Sequence, residues 1–238
     1  MSEPLLVLAA TAAGVLLRPL LGRARSRLFP RPRPDVPEQG WRAAQLRALD
    51  EVGGPGAAVF WGDSLLHQME LSEWFPGAEL PLRNRAVSGY RTEHLLAGLE
   101  HARAGAAVHF VLIGANDVLH EGVRRGPPEI AGRVARAAAR LAALAALDET
   151  PVHVVSLLPT ARPRANETIR RTNELLAAAA EEGGFGFLDV HGRFAGDAGL
   201  LRPELTVDGV HLSPPGMALL ADRLARACPD LGPSPRID

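Results

Sequence analysis

Lysine is absent from this chain: all 26 of its basic residues are arginine. No local feature demands arginine at each of those positions, so the absence reads as compositional bias from GC-rich codons. Cysteine occurs once, at Cys228, which excludes an intrachain disulfide and any cysteine-rich metal site. Cys228 falls in an apolar helical pattern, where a packed thiol is expected rather than a reactive one. Neither sign of charge is in excess. The formal net charge is −1, so no overall field draws the chain to nucleic acid or another polyanion. The 8 histidines form no ligand cluster along the sequence, and neither a metal nor a cofactor is expected.

What is present is enough for one substantial domain: 238 residues, 47% of them hydrophobic and 22% charged. The one long apolar run lies at the start, "LLVLAATAAGVLL" over residues 5–17. A membrane span usually needs about 20 apolar residues, a length that the segment from Pro4 to Gly22 nearly reaches if Arg18 snorkels to the headgroups. Glu3 is the only charge ahead of the run, whereas an export signal carries positive charge there. The arginines that follow favour keeping the C-terminal side in the cytoplasm. Residues 1–22 are therefore read as an apolar helix and candidate membrane anchor, with membrane association through residues 4–22. Residues 23–39 form an Arg/Pro-rich linker and 40–238 the main domain. A packed soluble helix and a cleaved signal are the alternatives for the first segment.

From residue 40 onward, strand and helix patterns alternate. Helices are expected over 41–52, 92–103, 128–147, 166–182 and 214–228, from apolar residues at helical spacing. Short apolar runs at 57–61, 80–87, 106–114, 151–159 and 185–190 read as buried strands. This order predicts an α/β fold, a three-layer α/β/α sandwich around a five-stranded parallel sheet. In such sheets ligands bind beyond the carboxyl ends of the strands. Functional polar residues should then follow strands directly.

Four blocks do. Gly62-Asp63-Ser64 follows the first strand and should arise by chance only about 0.04 times in a chain of this composition. A strand-to-helix turn capped by Asp63 or Ser64 explains it equally well in isolation. Ser88-Gly89 follows the second strand, where a residue without a side chain lets a ligand oxygen approach the backbone N–H. Gly114-Ala115-Asn116-Asp117 follows the third, and Asn116 offers a neutral donor for developing negative charge, or else an Asx turn. Asp208-Gly209-Val210-His211 precedes the last helix. Its spacing lets the carboxylate reach one imidazole nitrogen while the other faces a hydroxyl.

In this order the four blocks resemble the SGNH hydrolases, also called the GDSL esterase/lipase family, over most of residues 56–216. The resemblance implies a flavodoxin-like fold and a serine esterase or acylhydrolase acting on a small-molecule or lipid ester. It assigns Ser64 as nucleophile, Asp208 and His211 as orienting acid and base, and Ser64, Gly89 and Asn116 as the oxyanion donors. "NRAVSG" and "FLDV" are similar to the acetylhydrolase-type branch, which implies a small, acetyl-like acyl group. The chain departs from the family in Leu65-Leu66 after the serine, and in Tyr90 and Arg91 standing between Gly89 and Thr92. Those departures bear on the substrate pocket, for which Tyr90, Arg91 and His67 are candidates. His67 and His120 are rival bases for Ser64: no nearby aspartate clearly orients His67, and for His120 a solvated loop histidine is the commoner case. An acyltransferase sharing the same acyl-enzyme and a non-catalytic binding protein are the other classes open to this sequence.

Overall fold

The computed structural model describes residue 46 and residues 55–99, 105–120, 125–145 and 150–235. All belong to the unit Pro37–Asp238. The expected anchor and linker at residues 1–39 lie outside the described residues, as does all but Leu46 of the expected helix at 41–52. Among the described residues, no helix is long and apolar enough to cross a membrane.

Five strands carry the fold: β1 (Ala57–Gly62), β2 (Leu82–Asn84), β3 (Ala106–Leu112), β4 (Val152–Val155) and β5 (Gly186–Leu188). They form one sheet in the order β2-β1-β3-β4-β5, and every neighbouring pair is parallel. Among the helices between them are α1 (Ser64–His67), α2 (Leu71–Trp74), α3 (Thr92–Gly98), α4 (Ala115–Leu119), α5 (Pro127–Ala145), α6 (Pro163–Gly183), α7 (His191–Phe194) and α8 (Pro214–Ala227). Both faces of the sheet are covered, as parallel sheets require.

Strand side chains alternate between the two cores. Ala58 and Phe60 of β1, with Val108, Phe110 and Leu112 of β3, join Leu66, Phe75, Phe194, Leu220 and Leu224 on one side. Val59 and Trp61 of β1, with Val111 of β3, join Ile130, Val134, Leu141, Ile169 and Leu176 on the other. This period of two explains why the strand segments read as continuous apolar runs: each successive residue meets one buried layer or the other.

β2, β3, β4 and β5 are shorter than their sequence patterns suggest, and at the ends of β2 and β4 side chains take up backbone groups. After β2, Asn84 donates through Nδ2 to the carbonyls of Leu66 and Met69 and accepts the Ala86 N–H. The backbone still follows β1, with Arg85 N–H on the Phe60 carbonyl at 2.8 Å and Val87 N–H on the Gly62 carbonyl at 3.0 Å. After β4, the Ser156 hydroxyl accepts the N–H groups of Val190 and His191, and Asn173 brackets Leu157 through both its carbonyl and its amide. Buried backbone groups must be paired, and here polar side chains serve instead of a neighbouring strand. Cys228 is half-buried at the end of α8, where burial pushes its thiol up, as a packed rather than reactive cysteine requires.

Candidate active site

The strand order reverses between β1 and β3, because β2 lies on one side of β1 and the later strands on the other. In this topology the crevice at that reversal is the binding position. β1 runs directly into Ser64 and β3 into Asn116, so both residues flank the crevice. Gly62 ends β1 where it does because a Cβ there would press into the Leu112 carbonyl oxygen of β3. Only glycine permits that approach.

Asp63 caps α1: its Oδ1 accepts the Leu65 N–H at 3.0 Å. The turn-capping reading of this block therefore holds for Asp63, while Ser64 becomes the first residue of the helix, half-buried. The Ser64 Oγ lies 3.0 Å from Nε2 of His211, across 147 residues of sequence. The other ring nitrogen, Nδ1, lies 2.7 Å from Oδ2 of Asp208. Oδ1 of the same carboxylate accepts the N–H groups of Val210 and His211 at 2.9 and 2.8 Å. Thr206 ties the loop further, donating to the His211 carbonyl and accepting the Gly209 N–H. With the ring proton on Nδ1 facing Asp208, Nε2 is left as the acceptor for the serine O–H. A proton can then pass from hydroxyl to imidazole without moving a side chain. Burial opposes ionisation of Asp208, but hydrogen bonds from the His211 side chain and from the backbone N–H groups of His211 and Val210 prevail, bringing it to about 2. It is a carboxylate throughout the neutral range.

Gly89 lies on an exposed turn at φ +82°, a conformation that side chains disfavour, and a Cβ there would meet nothing within 4 Å. The side-chain amide of Asn116 donates to the Tyr90 carbonyl at 3.0 Å, which uses one of its two hydrogens and orients the group. Behind it Asp117, fully buried, accepts both the backbone N–H and the hydroxyl of Thr92, at 2.9 and 2.8 Å. Asp117 thus clamps α4, which bears Asn116, to the turn that bears Gly89. Sequence reading passed over this role. The only signal was an aspartate beside the block's asparagine, and the contact with Thr92 spans 25 residues.

The remaining candidates lie around these residues. His67 turns to the second block: its Nδ1 is 2.7 Å from the Ser88 Oγ and accepts the Ser88 N–H at 3.0 Å. Arg91, expected at the substrate pocket, is instead 4% exposed, its guanidinium engaged with Glu93 and His94. Glu93 has no sequence signature, yet it also draws in Arg125 and Arg133, and so anchors α3 to α5 and to the segment before it. Tyr90 is half-buried with its ring tilted against His94. His120 ends α4.

Burial pushes the Asp63 carboxyl up to about 7, against the Leu65 N–H and the His211 imidazole, which pull it down. Its Oδ2 is buried without a hydrogen-bond partner among the described residues. Between its ordinary 3.8 and about 7, the folded protein holds a proton that the unfolded chain has released. The stability this group contributes is therefore full below 3.8 and is lost as pH rises through 7. Asp63→Asn keeps an acceptor for Leu65 and removes the titration. Urea unfolding at about pH 5 and about pH 8 should show the parent losing about 3 kcal/mol more than the variant over that interval. Parallel pH dependences in the two proteins would remove Asp63 as the source.

A parallel α/β/α sheet with a hydroxyl, an imidazole and a carboxylate in hydrogen-bonded line at its carboxyl edge is an architecture of ester-cleaving hydrolases. The GDSL-like lipase/acylhydrolase family matches residues 39–219, and the chain belongs to that family. It is an ester-cleaving hydrolase. Among solved structures it is similar to a Streptococcus pneumoniae protein whose name refers to platelet activating factor, with 26% identity, a TM-score of 0.68, and 92% of this chain and 98% of that chain covered. It also resembles a GDSL-like lipase from Bacteroides thetaiotaomicron at 19% identity and TM-score 0.58, covering 78% of this chain and 96% of that one. An acetyl-xylooligosaccharide esterase from Geobacillus is similar at 18% identity and TM-score 0.56, covering 76% and 96%. The last two likenesses are of fold. No curated protein matches the sequence.

Proposed function

We propose that the chain cleaves a small acyl ester, of acetyl type, by a serine mechanism in which Ser64 is the nucleophile, His211 the general base and Asp208 the residue that orients it. The observation that supports this reading best is the unbroken line from the Ser64 Oγ through both nitrogens of His211 to the Asp208 Oδ2. Ser64 attacks the ester carbonyl as its proton passes to Nε2. The imidazolium then protonates the leaving alcohol, and an acyl-serine remains. Water attacks that ester, gives its proton to the same nitrogen, and the acid leaves as Ser64 recovers its hydrogen.

Negative charge on the tetrahedral oxygen is met by the backbone N–H groups of Ser64 and Gly89 and by the second hydrogen of the Asn116 amide. Each such donor is typically worth about 2.7–4 kcal/mol in the transition state. The hydrogen bond from Asn116 to the Tyr90 carbonyl supports this assignment, because a donor fixed before the reaction needs no reorganisation during it. The small acyl group rests on the acetylhydrolase-like sequence features.

A fluorophosphonate probe tests the nucleophile directly. One equivalent should attach, peptide mapping should find it on the fragment containing Ser64, and release of p-nitrophenol from p-nitrophenyl acetate should stop as labelling proceeds. Attachment at another residue, or hydrolysis that survives complete labelling, overturns the assignment.

A further inference from the structure

Beside the candidate active site lies a cavity of about 620 Å³. Its walls are Val118, Leu119 and His120 at the end of α4, Arg125, and residues 161–165 with Thr168, where the chain enters α6. Two connections join it to the reacting groups. The short helix α4 carries Asn116 in its first turn and the cavity wall in its last. On the opposite wall, the Ala161 N–H donates to the Gly209 carbonyl at 2.8 Å, within the loop that places Asp208 and His211. The segments that hold the donor and the base therefore also bound this space.

The volume belongs with clefts that receive whole small molecules and far exceeds an acetyl group. Its chemistry is one-sided. Val118, Leu119, Ala161, Pro163 and Ala165 give it an apolar lining, and among the described residues no aspartate or glutamate lines it, whereas three arginines do. The charge of Arg125 is met by Glu93, Glu129 and Asp117. Arg162 and Arg164 are exposed and have no ion-pair partner among the described residues. Elsewhere on α6 and α8 the exposed arginines do pair: Arg170 and Arg171 with Glu174, and Arg226 with Asp222. Two like charges at the rim of a low-dielectric cleft concentrate a positive potential inside it.

On the reading that Ser64 is the nucleophile, we infer that this cavity is a substrate subsite. It receives the larger, non-reacting part of an ester that bears an anionic group, carboxylate or phosphate, held by Arg162 and Arg164 beyond an apolar spacer. The neutral ester end lies towards Asn116 and His211, and the anion towards the first turn of α6. Arginine suits either anion, since its planar fork matches both geometries.

Three acetyl esters of similar length separate the alternatives: butyl acetate (neutral), 4-acetoxybutanoate (carboxylate) and 3-acetoxypropyl phosphate. Binding is measured by calorimetry to full-length Ser64→Ala protein, which should not consume them. At least one anionic ester should bind about tenfold or more tightly than butyl acetate, as a charge-assisted hydrogen bond implies. That advantage should shrink in about 0.5 M NaCl and fall to within about twofold when Arg162→Ala and Arg164→Ala are added. Whichever anion gains more identifies the group. Equal binding of all three esters, or a preference that survives loss of both arginines, overturns the subsite. Acetate release by the parent chain is followed separately. If none of the three esters is turned over, the catalytic reading fails, and the binding comparison still decides the cavity.

Discussion

Ser64→Ala is expected to lower kcat for p-nitrophenyl acetate by three orders of magnitude or more, with KM changed far less. The reason is chemical. Without the Oγ no acyl-enzyme forms, and the remaining route is direct attack by water on an ester held by the oxyanion donors. On the proposed mechanism those donors survive, because the Ser64 contribution is its backbone N–H, which alanine keeps. Removing a triad nucleophile characteristically leaves a residual rate above the uncatalysed one from binding and the oxyanion site alone. The substitution should be neutral for the fold, since Ser64 is only half-buried, its recorded side-chain hydrogen bond is to His211, and alanine suits the first turn of α1. An unchanged thermal midpoint together with lost turnover is the signature sought. Turnover within about tenfold of the parent would place the nucleophile elsewhere.

Asp208→Asn carries the next largest effect, a fall in kcat of roughly 10³–10⁴. Asparagine can still accept the backbone N–H groups of Val210 and His211 through its oxygen, so the loop need not move. The change falls on the other atom. An amide N–H now faces Nδ1 of His211, which must become the acceptor, so the ring proton shifts to Nε2 and confronts the Ser64 hydroxyl with a donor. The imidazole is then in the wrong tautomer for general base catalysis. The Asp208 side chain is 50% exposed, so water can compete for the ring, which places the effect below that of Ser64→Ala. Raising the pH should not restore the rate, because the fault is tautomeric rather than a matter of charge. Recovery at high pH, or a loss below about tenfold, would assign Asp208 a lesser part.

Much of this was legible before any coordinates. The strand patterns at 57–61 and 106–114 correspond to β1 and β3, because both strands are buried on two faces and alternate between two apolar layers. Strand ends were legible less well. The segments around Asn84, Ser156 and Asn173 look like continuing strand or ordinary helix, and only their partners reveal that side chains have taken over backbone pairing. Arg91 illustrates the same limit at the site. Its position beside Gly89 and Tyr90 suggested a substrate contact, and only the fold shows that it is buried and paired with Glu93, two residues on.

Local order along the chain was enough to determine the alternation of elements, the parallel sheet and the identity of the polar blocks, since each is read from residues within a few positions of one another. Which hydroxyl meets which imidazole is a different kind of fact. His67 is three residues from Ser64 and His211 is 147 away, yet the nearer ring turns to Ser88 and the distant one meets the Ser64 hydroxyl. Packing of the sheet's carboxyl edge chose between them. The paired charges of Arg125 were likewise settled by which segments lie side by side, a matter of distance in space that no spacing in sequence encodes.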